Sequence, residues 1–282
     1  MSDGMRGAHS MTPGGIAAHL IVAGSLLVAA PVLAHAQEDP ARFSLTLGAF
    51  ITDQQTKTRI DSETLGPGTP INLSDTLGFD PTNTVFRVDG YLRFNRRHRI
   101  DFSVFDLSRD SVYTIDETLQ VGDDIFDIDT TVSASSDLAI YKVDYTWSAI
   151  QRDKGFLGLT GGLYIMDTGL SLSEPTLGTA ESRAITAPLP VIGFRGEYDM
   201  TPRWTLRGSA EFFAVEYQDV DGSLVDLYAG VDFAVTDHFA VGLAYNKVTI
   251  DVESADSGFL GIIDWSYQGV LLGLRFDFGS VR

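Results

Sequence analysis

The side chains able to do chemistry in this chain are mostly carboxylates and guanidiniums, and few stand where a catalyst needs them. Cysteine is absent, which excludes a thiol nucleophile, a thiolate metal site and a disulfide framework. The histidines are His9, His19, His35, His98 and His238. The first three fall in an N-terminal leader and the last two in short turns. No histidine proton shuttle is therefore expected at the long-loop end, where a rim-built hydrolase site would sit. Carboxylates crowd one stretch: Asp106, Asp110, Asp116, Glu117, Asp123, Asp124, Asp127 and Asp129 stand there against Arg109 alone. Within it, Asp123, Asp124, Asp127 and Asp129 offer oxygens to a weak Ca²⁺ site. They lack the glycine and terminal glutamate of an EF-hand loop, so the plainer reading is a solvated acidic loop. No phosphate-cradling loop or metal motif is present, and no cofactor is expected. The formal charge of −18 argues against nucleic acid, whose phosphates it would repel.

A second set of charges recurs at every other position. It comprises Arg87, Asp89 and Arg93; Arg99 and Asp101; Lys142 and Asp144; Arg195 and Glu197; Arg207 and Glu211; Asp226 and Asp232; and Arg275 and Asp277. If these share the inside of a barrel, they form either a charged eyelet that selects ions or a salt-bridged plug. Buried charges need partners, and here the two signs nearly match, with seven cations to eight carboxylates. Barrels of about eight strands are filled by side chains, and open channels appear near sixteen strands. About ten strands favours the plug.

The elements that must carry these residues are strands. The last is the clearest. Val270, Leu272, Leu274, Phe276 and Phe278 fall on one face, and Leu271, Gly273, Arg275 and Asp277 on the other. A strand between lipid and a polar lumen needs this alternation. The same period gives about ten strands (eight to twelve at the limits): 42–60, 83–94, 98–113, 130–147, 156–172, 184–198, 203–217, 223–235, 239–251 and one closing at Phe278. Connections are short after the second, fourth, sixth and eighth. Longer loops are expected at Asp61–Thr82, Thr114–Asp129, Ser173–Arg183 and Val252–Ile262; the link Gln218–Gly222 is brief. The fold class is all-β: a transmembrane antiparallel up-and-down β-barrel.

The N-terminus reads as a processing segment. Its apolar run, Ile21–Leu33, is short of the ~20 residues a spanning helix needs, and Ala34-His35-Ala36 is a small-x-small cleavage site. Residues 1–36 are therefore expected to be a secretory signal peptide and 37–282 the barrel.

Three short turns look alike: Phe94-Asn95-Arg96-Arg97-His98-Arg99, Tyr198-Asp199-Met200-Thr201-Pro202-Arg203-Trp204 and Val235-Thr236-Asp237-His238-Phe239. With the aromatic-ended last strand they resemble the porin-like family of small Gram-negative outer-membrane β-barrels. The resemblance implies the outer membrane, periplasmic termini and recognition by the assembly machinery; it carries no catalytic residue and no ligand. The chain departs from the family in ending on Gly279-Ser280-Val281-Arg282 after Phe278.

The competing architecture is a soluble barrel with its apolar face inward. Aromatics near the short-turn ends, among them Phe94, Tyr145, Trp147, Tyr198, Trp204 and Phe278, favour lipid outside, as an interfacial girdle. The expected role is structural or surface-interacting, without enzyme activity. A small diffusion porin is the alternative and an outer-membrane hydrolase a distant one. The expected partners are outer-membrane lipid and lipopolysaccharide, bridged to the acidic loops by divalent cations.

Overall fold

A computed structural model describes residues 40–174, 179–217, 220–256 and 259–281. The expected signal peptide over residues 1–36, its expected cleavage site and His9, His19 and His35 lie outside the described residues. So do the tips of three connections, at 175–178, 218–219 and 257–258.

The chain folds in the order β1 (Ala41–Ile60), β2 (Ile71–Asn72), α1 (Leu73–Leu77), β3 (Thr82–Asn95), β4 (His98–Asp106), β5 (Arg109–Thr114), β6 (Leu119–Val121), β7 (Asp124–Phe126), β8 (Thr131–Arg152), β9 (Gly155–Glu174), β10 (Thr179–Asp199), β11 (Trp204–Tyr217), β12 (Val220–Thr236), β13 (Phe239–Asp256) and β14 (Phe259–Ser280). Each long strand pairs antiparallel with its neighbour, and β1 pairs with β14, with Phe43 opposite Phe278 and Ile51 opposite Val270. The result is a closed antiparallel barrel of 10 strands, with β4 and β5 sharing one stave along β8. Closure removes the unpaired edges that a membrane cannot satisfy.

The alternation read from the sequence decides the two faces. Leu272, Leu274 and Phe278 are exposed on the outer wall, as are Ile192 and Phe86. Phe94, Tyr145, Trp147, Tyr198 and Trp204 ring the short-turn end. The apolar face therefore points out, as a lipid-facing wall must. The three similar turns share a local cause. Asn95 accepts from the amides of Arg97 and His98 at 2.8 and 3.1 Å. The Thr201 hydroxyl accepts from Arg203 and Trp204 at 3.2 and 3.1 Å, and that of Thr236 from His238 at 3.3 Å. Each turn thus opens on a short polar side chain that caps its own backbone.

Two expected loops are corrected. Most of Ser173–Arg183 and of Val252–Ile262 is strand, because β9, β10, β13 and β14 continue far beyond the apolar band. The outward face turns polar there, at Ser171, Ser173 and Asp251, but ladder pairing needs only the backbone. Above the lipid a polar outward residue faces water. The other two long connections are folded. Asp61–Thr82 contains β2 and α1, and Thr114–Asp129 contains the β6–β7 hairpin. Helix α1 is capped by Asn72, whose side chain accepts from the Ser74 amide, and ends on Gly78 at φ 67. That left-handed turn favours glycine.

Candidate functional site in the barrel lumen

The inward face is built in two layers. The short-turn half holds the charges, and all of the alternating set come together. Arg99 bridges Asp101 at 2.9 Å and Glu197 at 2.6 Å; Glu197 also lies 3.6 Å from Arg93. Lys142 sits among Glu211 at 2.5 Å, Asp226 at 2.7 Å and Asp144 at 3.7 Å. Arg195 joins Glu211 at 2.7 Å, Asp144 at 3.0 Å and Asp101 at 3.7 Å. Asp232 takes Arg207 and Arg275, each at 2.6 Å, and Arg275 also takes Asp277 at 2.9 Å. Arg87 pairs with Asp89 at 2.9 Å. Gly242 makes room for this layer, since a Cβ there would meet the Asp232 carboxylate at 2.5 Å.

These pairs cross the lumen. Lys142 is on β8 and Asp226 on β12, four staves apart. Arg99 on β4 reaches Glu197 on β10. The guanidiniums also stack on rings: that of Arg99 lies 4.6 Å from the Tyr91 centroid and 4.7 Å from that of Phe156. The polar cavity left among them is about 70 Å³. Pockets that enclose small organic ligands run to ~300–1,000 Å³, so this cavity is no substrate pocket.

The outer half of the lumen is apolar, and the sequence reading missed it. Phe50, Phe105, Ile140, Tyr164, Tyr267 and Leu271 are buried there with Trp265, Val248 and Leu224. Phe50, Phe105 and Tyr267 pack edge to face, with centroids 5.7 to 5.8 Å apart. Arg87 marks the boundary. Its guanidinium lies 4.7 Å from the Phe105 centroid and donates to Asn246 at 2.7 Å. The available signal was a local break in alternation. Ala49-Phe50-Ile51, Val104-Phe105 and Leu271-Leu272 are apolar on both faces, as strands buried on both sides are.

Above the plug lies a cap with its own core of Ile60, Ile71, Leu73, Leu77, Phe79, Leu119, Val121 and Phe126. Polar bonds tie its two segments together. Ser62 donates to Asp123 at 2.6 Å, the Thr69 amide to the Gln120 carbonyl at 2.9 Å, and the Gly122 amide to the Ile60 carbonyl at 3.1 Å. Asp61 anchors the first segment. Burial opposes its charge, but hydrogen bonds from Arg59 at 2.8 Å and from the Gly68 amide at 2.9 Å hold its carboxyl below the ordinary value.

The Ca²⁺ candidate does not assemble. Among the described residues no group of three or more His, Asp or Glu converges on a metal position. The β6–β7 turn points its acids apart. Asp123 is drawn to Ser62 and Thr64, while Asp127 and Asp129 face solvent. His98 and His238 sit in short turns, and the His98 ring contacts the Tyr145 hydroxyl.

No protein-family model matches the chain, and no curated protein sequence matches it. Among solved structures it is similar to the outer-membrane protease OmpT of Escherichia coli. The identity is 13% and the TM-score 0.53, over 85% of this chain and 97% of that one. It also resembles the attachment invasion locus protein Ail of Yersinia pestis, at 9% identity and TM-score 0.35, over 84% and 99% of the two chains. The toluene transporter TodX of Pseudomonas putida follows, at 10% identity and TM-score 0.32, over 84% and 89%. The last two scores carry no argument. The likeness to OmpT is one of fold alone: this chain is a closed antiparallel transmembrane β-barrel.

Proposed function

We propose that the chain is a small Gram-negative outer-membrane barrel with a sealed lumen, and that its folded cap is a working surface, in a structural or surface-interaction role. The observation that carries this reading is the meeting of side chains from far sides of the barrel, Lys142 with Asp226 and Tyr164 with Tyr267. A pore needs a continuous polar path, and the apolar layer interrupts it. The cap supports the surface role. Leu65, Ile125 and Ile128 are exposed on it, among Glu63, Asp124 and Asp127, and exposed apolar groups on a rigid base favour contact with a partner.

In this class short turns face the periplasm and long connections the outside. The acidic cap then stands over lipopolysaccharide phosphates, a repulsion that Mg²⁺ or Ca²⁺ bridges relieve. A catalytic role at the outer rim has no histidine to use among the described residues, and the lumen cavity is too small for a substrate. Planar-bilayer recording of the purified protein tests the reading. It should give no steady conductance; steady conductance in the nanosiemens range would make the chain a diffusion porin.

A further inference from the structure

The outer wall of the barrel is not evenly filled. An oblique apolar groove of about 700 Å³ crosses it from β10 to β14. Its floor is Gly196, Gly208 and Ala229, in register on three adjacent strands. Leu206, Leu243 and Tyr245 are among the side chains that wall it. The backbone does not demand glycine at Gly208: its φ is not left-handed, and an added Cβ would meet nothing nearer than the Tyr228 carbonyl oxygen at 3.5 Å. A larger side chain fits there and would fill the groove.

The lower end of the groove reaches Tyr198, beside the turn from Asp199 to Trp204. Exposed Arg203 stands in that turn. The Asp199 amide donates to the Lys154 carbonyl at 2.7 Å, which brings the neighbouring basic turn alongside. The β8–β9 and β10–β11 turns carry Arg152, Lys154 and Arg203 against Asp153 and Asp199, and the β12–β13 turn adds Asp237 and His238. We propose that the groove binds one anionic glycerophospholipid of the leaflet on the short-turn side, with an acyl chain along the glycine floor and its phosphate against Arg203 and Lys154. Only the transmembrane fold is needed for this, not the sealed-lumen role. Apolar contact alone selects nothing inside a bilayer; shape and headgroup charge do. A second copy of the chain is a poorer occupant. A two-fold axis along the membrane normal would set groove against groove and basic turn against basic turn.

Native mass spectrometry tests this on the full chain, released from nanodiscs of equal parts phosphatidylethanolamine and phosphatidylglycerol. One phosphatidylglycerol should stay on each barrel, enriched several-fold over phosphatidylethanolamine. Gly208→Phe should abolish retention. Gly161→Phe, on another part of the wall where a Cβ meets only the Val191 carbonyl oxygen at 3.8 Å, should retain lipid as the parent does. The double variant Arg203→Gln/Lys154→Gln should keep one lipid and lose the preference. If Gly208→Phe does not fold, Ala229→Leu takes its place. Unselective retention by the parent chain, unchanged retention with the groove filled, or a parent dimer that Gly208→Phe dissolves would each overturn the proposal.

Discussion

Tyr164 and Tyr267 meet hydroxyl to hydroxyl at 3.1 Å, although β9 and β14 stand on opposite sides of the barrel. The contact measures how completely the outer half of the lumen is filled. Tyr267 also packs on Phe50, Phe105 and Trp265, with centroids 5.1 to 5.8 Å away. The charged layer crosses the other half independently, so two separate layers of side chains span the lumen.

Tyr267→Ala should therefore destabilise without opening. Removing a large ring from a packed interior costs about 3–5 kcal/mol. Denaturant unfolding in detergent should show that loss, while bilayer recordings stay silent because the Lys142 and Arg195 bridges still cross the lumen. A conducting Tyr267→Ala barrel would mean that the apolar layer alone is the seal.

Lys142 is the keystone of the charged layer, since Asp144, Glu211 and Asp226 all lie within 4.0 Å of it. Lys142→Met leaves those carboxylates with too little positive charge, and breaking a buried pair costs about 3–5 kcal/mol. Adding Asp226→Asn should recover part of the loss, because the two positions share one network. Strict additivity of the unfolding free energies would show that they do not.

The barrel was legible because period-two alternation is long, repeated and unambiguous. The last strand alone gave the lipid face, with Leu274 out and Arg275 in. The alternating charges were also legible as one set, since Arg87, Lys142, Asp226 and Arg275 fall on the inward parity of their strands. What was hidden had no period to betray it. The plug is made of residues such as Phe50 and Leu271, which interrupt the pattern. The cap depends on contacts between distant segments, such as Ser62 with Asp123, which no local spacing announces. The strands past Ser171 and Asp251 present no apolar outward face in the sequence, because water, not lipid, lies against them.

The two faces of β14 should respond oppositely to charge. Leu274 is exposed on the outer wall, and arginine there should cost about 2–4 kcal/mol in a bilayer. Arg275→Gln changes a lumen residue and should leave lipid insertion intact, though it removes bridges to Asp232 and Asp277. Folding into vesicles, followed by tryptophan fluorescence, compares the two. Equal insertion by both variants would contradict the outward assignment of Leu274.

The cap should loosen in acid. Asp61 has a carboxyl held below its ordinary value, despite partial burial, by Arg59 and the Gly68 amide. A depressed carboxylate contributes stability that is fully present above the ordinary value of about 4 and is lost as pH falls through the folded value. Hydrogen exchange of segment 61–68 should thus speed up below about pH 4, after correction for the intrinsic rate. In Asp61→Asn, exchange should be faster at neutral pH and lack that acid step. An unchanged acid step in the variant would assign it to another carboxylate.

Orientation carries the most consequence. The chain has no cysteine, so a single introduced thiol reports one position. Ile128 is exposed on the cap and Met200 in a short turn. In this class of barrel short turns lie in the periplasm. A membrane-impermeant maleimide should therefore label Ile128→Cys on intact cells and Met200→Cys only after permeabilisation. Both side chains are exposed, so both variants should fold. The reverse pattern would place His98 and His238 on the outer rim with Arg203 and Asp199, supply the histidines that the long-loop rim lacks among the described residues, and reopen the case for a hydrolase.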